Sequence, residues 1–409
     1  MKEKELTERE RLRLSLALLP HDAKQVSYLR KRLSDAEPAE LLVIRDALVP
    51  HADQLSQRLW EIASDAQLAD DARFRAACTL AGLDPGADKA KWDAVSTPVA
   101  KVLVSQNPLV LGAWMEALRP VRRTVVPPLQ EIFRDPKQGE GERSLAASIL
   151  ADYAADQPDV LTDLLLGADT KQFIMLLSAV QAIAQEAVPL LEAELGRRAA
   201  EDATEAVLDQ LGSRQANAAA ALLRLNSSEK AWQLFQHRPD PTARSYLIHR
   251  VSPLGVDPKM IVARLDKEQD VSIRRALILC LGEYDADDTQ TSPTRERGNP
   301  TAPTGTQGNP TSPTRERGNP MAPTGTQAEE SNPSLALARR ASVTPNRGPN
   351  KLPTDERQRL LPTLFDLYRD DPDPGLHGAV EWLLRQWHQG NRLKALDEQL
   401  AQDRAQAKR

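Results

Sequence analysis

The sequence predicts an all-α fold in which helix pairs stack into a superhelical array, an α-solenoid, and three observations lead to this prediction. A nine-residue pattern, Arg-x-x-Ala-Ala-x-x-Leu-Ala, occurs at residues 73–81 and again at residues 143–151. Weaker copies of the pattern recur at intervals of roughly thirty to forty residues, a period typical of stacked helical units. Aromatic residues make up only 4% of the chain while Ala and Leu are abundant, which suits helices packed closely through small side chains.

The repeat units can be placed along the chain from their apolar stripes. Apolar residues at the third, fourth, seventh and eighth places after an opening residue lie on one helix face. Ten such stripes open at residues 11, 41, 73, 111, 143, 173, 215, 244, 274 and 376. Second helices are predicted between them, clearest at residues 53–65, 228–236 and 357–369.

Asp-Pro steps mark the junctions between predicted helices. Asp caps a helix start by accepting an orphan backbone N–H, and Pro suits the first helical position. The steps are Asp84-Pro85, Asp135-Pro136, Asp240-Pro241, Asp257-Pro258 and Asp373-Pro374.

One long interruption separates the last two stripes. Residues 291–310 and 311–330 are near-identical blocks rich in Pro, Gly, Thr, Ser and Asn, which points to a recent tandem duplication. Such a composition cannot bury enough surface to offset the entropy of ordering, so residues 286–353 are predicted to be a disordered insertion. The alternative is a docking segment or a phosphorylation site, for which the candidates are Ser292, Ser312 and Ser342.

The insertion divides the chain into four predicted parts. Residues 1–285 form the main array, residues 286–353 the insertion, residues 354–390 one last unit that continues the array, and residues 391–409 a polar helical tail.

Composition disfavours several classes of function. The net charge of −5 gives no global basic field for nucleic acid. No apolar run is long enough to cross a bilayer and the N-terminus does not resemble a signal peptide, so a cytoplasmic location is expected. The two cysteines, Cys78 and Cys280, are expected to be buried hydrophobes.

A catalytic constellation cannot be assembled from the sequence. The six histidines are scattered and none has metal-ligand spacing with a second His or Cys. A phosphate-binding loop, a nucleophile elbow and a kinase catalytic loop are all missing. We therefore expect no enzymatic activity, no metal and no cofactor.

Two clusters are candidates for a surface that binds a partner protein. The first is basic and consists of Arg244, Arg250, Arg274 and Arg275, which fall in adjacent units. The alternative, which the pattern favours, is a structural ladder in which an opening Arg pairs with an Asp of a neighbouring turn, such as Asp240 or Asp270.

The second cluster holds Trp382 and Trp387. Five residues correspond to about 140° around a helix, so the two rings cannot share one core stripe. We expect one ring to pack on the preceding helix and the other to be half exposed, covering the end of the array or contacting a further domain.

Paired helices, Asp/Pro turns and an Arg that opens an Ala-rich helix together resemble HEAT repeats. Five stretches, residues 15–60, 73–85, 244–258, 273–285 and 367–387, further resemble the helical middle region of large bacterial proteins. Those proteins carry a serine/threonine kinase domain at one end and a formylglycine-generating, sulfatase-modifying-factor-like domain at the other. Neither catalytic domain is recognisable here, so no catalytic residue carries over.

These observations lead to a functional expectation. The chain is expected to be a non-catalytic scaffold that binds protein partners through the concave face lined by the Arg/Ala-opening helices. One alternative is an accessory or truncated part of a kinase or formylglycine-generating-type system that needs a catalytic partner. Another is an inert gene fragment.

Overall fold

A computed structural model describes residues 7–200, 202–227, 229–286 and 351–407, and this part of the chain is helical almost throughout. The helices are, in chain order, α1 Glu8–Leu18, α2 Gln25–Arg32, α3 Pro38–Leu48, α4 Ala52–Ser64, α5 Asp70–Leu83, α6 Lys89–Val104, α7 Pro108–Leu118, α8 Arg122–Arg134, α9 Glu140–Tyr153, α10 Pro158–Leu166, α11 Thr170–Ala182, α12 Ala184–Gly196, α13 Glu205–Arg224, α14 Glu229–Trp232, α15 Thr242–Arg250, α16 Pro258–Leu265, α17 Val271–Gly282, α18 Thr354–Asp370, α19 Pro374–Gln386 and α20 Gly390–Ala407. Short 3₁₀ turns at Val49–His51, Arg119–Val121 and Gln233–Phe235 join or extend some of them. The predicted all-α class is confirmed.

The ten apolar stripes lie on alternate helices. Each falls on an odd-numbered helix, from α1 to α19, and the even-numbered helices occupy the intervals between them. We call these two sets the odd helices and the even helices. The alternation follows from the sequence because only one helix of each pair carries the small-residue pattern.

Helix starts are fixed by local capping. At the two predicted steps Asp257-Pro258 and Asp373-Pro374, the Asp side chain accepts a backbone N–H of the first helical turn and the Pro stands at the first turn. Asp84 and Asp135 instead follow the ends of α5 and α8. An Asp-Pro step therefore marks a junction between helices here, but it can stand either at the start of one helix or just after the end of another.

The core runs between the two sets of helices. Ala77 and Ala147 of the best pattern copies are fully buried, as are the four consecutive alanines of residues 218–221. Even helices pack on the odd helix that follows them, as α4 does on α5 and α8 on α9. Odd helices also pack on later odd helices (α13 on α15, α17 on α19), and even helices on even ones (α6 on α8, α10 on α12).

The predicted insertion leaves and re-enters the array at one place. Asp285–Ala286 (β1) pairs in parallel with Lys351–Leu352 (β2), which brings the two ends of the interval together. Both β2 and Pro353 thus belong to the described structure, although they lie within the predicted disordered span 286–353. The rest of that span, residues 287–350, with Ser292, Ser312 and Ser342, lies outside the described residues.

The C-terminal segment is helical, as α20. Leu393 is buried, and the Tyr368 hydroxyl of α18 donates a hydrogen bond to Asp397 of α20 over 2.8 Å. The Arg392 guanidinium lies 4.4 Å from the centre of the Phe365 ring. The segment predicted to be a polar tail therefore packs against the last helix pair.

Candidate functional site

Three of the arginines that open an apolar stripe, Arg73, Arg143 and Arg244, donate to a carbonyl at the end of the preceding helix. The Nε of Arg143 donates to the Phe133 carbonyl over 3.4 Å, and the Nε of Arg244 donates to the Phe235 carbonyl over 2.7 Å. Arg73 makes the equivalent bond at the end of α4. The last carbonyls of a helix have no partner within it, so each arginine supplies a donor to such an acceptor. The Phe133 carbonyl also accepts from the Gln172 side chain over 3.0 Å.

The other arm of Arg143 and of Arg244 reaches the following unit, whereas that of Arg73 pairs with Asp70 of its own helix. Arg143 donates to Asp169 over 2.8 Å, and that Asp caps α11. Arg244 donates to the Ser272 carbonyl over 3.1 Å. Burial lowers the pKa of the Arg244 guanidinium.

The partners expected for Arg244, Asp240 and Asp270, were wrong. Asp240 accepts a hydrogen bond from the Thr242 backbone N–H, and Asp270 accepts from the first turn of α17. A carboxylate two residues from a free backbone N–H caps it at little entropic cost. Arg244 bonds instead to the main-chain carbonyls of Phe235 and Ser272.

Arg274 and Arg275 join α17 to the unit after the insertion. Arg274 pairs with Asp371 over 3.2 Å and Arg275 with Asp373 over 2.6 Å. The Arg275 guanidinium lies directly on Gly375, where a Cβ would collide with it. Hydrogen bonding from the Leu376 N–H, followed by the Arg275 guanidinium, lowers the pKa of Asp373.

Arg250 belongs to a polar junction inside the array. Its Nη1 donates to the Ser213 carbonyl over 3.1 Å and to the Asn217 side-chain oxygen over 2.9 Å. Its guanidinium also stacks on the Tyr246 ring, 4.4 Å from the centroid. Burial lowers the pKa of Arg250.

The two tryptophans occupy different environments. Trp387 is only 5% exposed and lies under the guanidinium of Arg357, 5.1 Å from the ring centroid. Trp382 is partly buried and packs on α17, where its ring covers Gly282 so closely that a Cβ there would overlap it. Trp382 therefore contacts the preceding unit. The six residues named from the sequence all make contacts between helices of the array, and their role in binding a partner stays a prediction.

The structure also contains a cleft that the sequence reading missed. It has a volume of about 310 Å³ and lies beside α13, the longest of the helices named above. One wall is a single face of α13, formed by Val207, Gln210, Leu211 and Arg214. The opposite side consists of Asp163 from α10 and of residues 197–199, which follow α12.

Three of the eight residues that line this cleft are arginines, and one is acidic. Arg214 donates to Asp163 over 2.9 Å and to the buried Glu194 over 2.7 Å, and Arg197 also reaches Glu194, over 3.1 Å. Burial lowers the pKa of the Arg214 guanidinium, but the bonds to these two carboxylates outweigh it, so that the pKa lies above its usual value. Arg198 is exposed and makes no hydrogen bond or ion pair to any described residue.

The spacing of the apolar stripes is the sequence feature that marks the position of this cleft. The stripes that open at residues 173 and 215 are further apart than any other neighbouring pair before the insertion. The additional residues form the irregular segment 197–204 and the first two turns of α13, where residues 204–210 are all exposed. The length of the unit, together with the Arg197-Arg198 pair inside it, could have pointed to this place.

Other kinds of site were sought in the part of the chain that the structure describes. No three His, Cys, Asp or Glu side chains there come together as a metal-binding group. None of the described helices is long and apolar enough to cross a membrane. Cys78 and Cys280 are fully buried, and burial raises the pKa of both thiols.

The comparisons with known proteins give no match: no protein-family model, no curated protein and no solved structure is similar to this chain.

Proposed function

We propose that this chain is a HEAT-like α-solenoid that acts as a non-catalytic scaffold and binds protein partners through the side formed by its odd helices. The alternation of odd and even helices, each packed mainly on its neighbours, supports the repeat architecture. The arginine-to-carbonyl contacts support it too, because Arg73, Arg143 and Arg244 make the same contact at three separate junctions.

The distribution of exposed apolar side chains is the observation on which the binding role rests. Eight large hydrophobic residues are exposed among the described residues, and six of them lie on odd helices. The other two lie in the turns before and after α4, and no described even helix itself carries an exposed large hydrophobic residue. The residues are Leu14, Leu18, Val43, Val49, Leu68, Leu109, Val207 and Leu208.

Such an asymmetry favours an interaction surface on one side. A single exposed hydrophobe is ordinary, whereas exposed apolar groups collected on one face are typical of protein-binding surfaces. In a solenoid each side is built from one helix of every pair, so a partner can contact many units at once. The resemblance to the middle region of kinase and formylglycine-generating-type proteins makes a partner from such a system the first candidate, and this stays a prediction.

Site-specific photo-cross-linking tests the proposal. A photoreactive amino acid is placed at Val43 on α3, 56% exposed, and as a matched control at the exposed Arg58 on α4. The chain is expressed in the cells that naturally carry its gene and irradiated. We expect protein adducts from position 43 and none from position 58. Equal labelling from both positions, or labelling from neither, contradicts a partner-binding side made of odd helices.

A further inference from the structure

We propose that the cleft beside α13 binds an acidic peptide segment of a partner protein, with carboxylates on its arginines and an apolar side chain on Val207 and Leu211. The proposal deepens the scaffold function and rests on it. Three features of the cleft carry it: its charge, its shape and the way in which the chain builds it.

The charge of the cleft comes first. Its lining contains the three guanidinium groups of Arg197, Arg198 and Arg214 against the single carboxylate of Asp163, a net charge of +2. Two further charged residues adjoin the lining, the buried Glu194 and the exposed Arg134, which pairs with Asp163 over 2.6 Å. Their charges are opposite, so the net charge of +2 is unchanged. The chain as a whole is negative, with a net charge of −5, so this local excess of positive charge runs against its average.

The described carboxylates of the same chain segment do not cancel this charge from within the cleft. Asp202 and Glu205 belong to the same segment of chain but are not part of the lining. Arg198 has no partner among the described residues, and the Arg214 side chain is only 17% exposed at the base of the helical wall. An incoming carboxylate can therefore bind the Arg198 guanidinium, which no described residue engages, and approach the Arg214 guanidinium, which Asp163 and Glu194 hold in place.

The shape of the cleft adds an apolar requirement. Val207, Gln210, Leu211 and Arg214 are spaced as one stripe of a helix, three, four and seven residues from the first. This wall is apolar at its outer end and cationic at its inner end. Val207 is 49% exposed, so it offers apolar surface that a partner's side chain can cover. The complementary ligand is thus amphipathic, with acidic and aliphatic residues close together.

The outer part of the α13 wall consists of residues that are not buried in the core. All residues from 204 to 210 are exposed, and α13 first enters the core at Gly212. The two exposed turns exist because this unit is longer than the others before the insertion. A helix end without core contacts is free to be used for binding, since its side chains are not fixed by packing.

Fluorescence anisotropy with the full chain tests this inference. The probe is a fluorescein-labelled peptide that repeats Glu-Glu-Leu, and the matched control peptide repeats Gln-Gln-Leu. We expect the acidic peptide to bind at least about tenfold more tightly, with an affinity that falls as salt is added. Equal affinities for the two peptides, or no measurable binding of the acidic peptide at about 1 mM protein, overturn the proposal.

Two pairs of variants locate the binding. Arg198→Glu is compared with Arg238→Glu, which makes the same charge change at another exposed loop arginine that makes no bond to a described residue. We expect R198E to weaken acidic-peptide binding about tenfold and R238E to change it less than about twofold. Val207→Ser is compared with Leu208→Ser, which also shortens an exposed apolar side chain of α13 but lies outside the cleft. V207S should weaken binding about fivefold and L208S should leave it nearly unchanged. Equal effects within either pair overturn the proposal.

The peptide-binding experiment and the cross-linking experiment distinguish failure of the cleft proposal from failure of the scaffold proposal. Cross-linking from position 43 is measured on α3, well away in sequence from α13. If that cross-linking persists in R198E while peptide binding shows no difference between R198E and R238E, the cleft assignment fails and the scaffold stands. If position 43 yields no partner but the acidic peptide binds with the expected variant pattern, the cleft stands and the binding side made of odd helices fails.

Discussion

Replacing Asn217 should damage the array more than any ordinary surface change, because this one side chain joins three helices. It is 1% exposed, and its Nδ2 donates to the carbonyls of Leu165, Leu166 and Ala168 over 3.3, 3.0 and 2.9 Å at the end of α10. Its Oδ1 accepts from Arg250 of α15. Asn217→Ala removes all of these bonds while leaving the backbone helix intact.

The size of the effect follows from these contacts. Two amide hydrogens shared among three carbonyls contribute about 1 kcal/mol each, and the bond from the charged guanidinium contributes about 1.5 kcal/mol or more. Ala is a better helix former than Asn by about 0.6 kcal/mol, which offsets a little of the loss. We therefore expect N217A to lower the free energy of unfolding by about 3 kcal/mol. Arg250→Ala removes the same Arg250–Asn217 bond, so the double variant should lose about 1.5 kcal/mol less than the sum of the two single losses.

Urea denaturation followed by far-ultraviolet circular dichroism measures the effect, with hydrogen exchange at α10 and α15 to detect local opening. The matched control is Asn391→Ala, which removes the same atoms from an exposed position of α20 and should change stability by less than about 0.5 kcal/mol. The reasoning is refuted if N217A and N391A are equally stable, or if the amides at the end of α10 keep their protection in N217A.

Three further predictions concern the last junction and the insertion. Gly282→Ala should destabilise the fold by about 1–3 kcal/mol because its Cβ meets the Trp382 ring, whereas Gly378→Ala, which points into open space, should be neutral or stabilise by up to about 1 kcal/mol. Thermal melts of both variants decide this, and equal melting temperatures would contradict the close approach. The pKa of Asp373 is lowered from 3.8 in the folded state, so its ionised form adds stability above that pH, and this contribution is lost as the pH falls through the lower folded value. In urea melts between neutral and acid pH, Asp373→Asn should therefore be less stable than the parent at neutral pH and should lose less stability on acidification; parallel curves would exclude the linkage. Replacing 287–350 with a flexible linker of about fifteen residues, long enough to reconnect two parallel strands, should leave the melting temperature almost unchanged. A loss of several degrees would show that the replaced segment contributes to the stability of the fold.

The order of helices was predictable because it depends on local patterns. Leu80 and Leu150, for example, recur at the same place in two pattern copies, and both are fully buried in odd helices. The period-3.6 spacing of such residues identifies a helix without knowledge of its neighbours. All ten stripes lie on helices for this reason, including the weak ones at residues 111 and 173.

The contacts of the arginines were only partly predictable. The sequence indicates that Arg274 should pair with an Asp of a neighbouring turn, and it pairs with Asp371, across the insertion. Arg244 bonds to the main-chain carbonyls of Phe235 and Ser272, and the position of a carbonyl in a turn depends on backbone geometry that the pattern of side chains does not give. The cleft beside α13 was not predictable in detail, since its lining comes from three separate segments of the chain that only the tertiary packing of α10, α12 and α13 brings together.

Small-angle X-ray scattering on the chain with 287–350 replaced by the short linker tests the solenoid most directly. Ten helix pairs spaced by about 9–10 Å give a particle about 90–100 Å long, with a radius of gyration of about 30 Å. A compact domain of the same remaining length has a radius of gyration of about 20 Å. A distance distribution with a long tail and the larger radius is the result expected of stacked units. A symmetric distribution with the smaller radius would contradict the solenoid and, with it, the extended binding side that we propose.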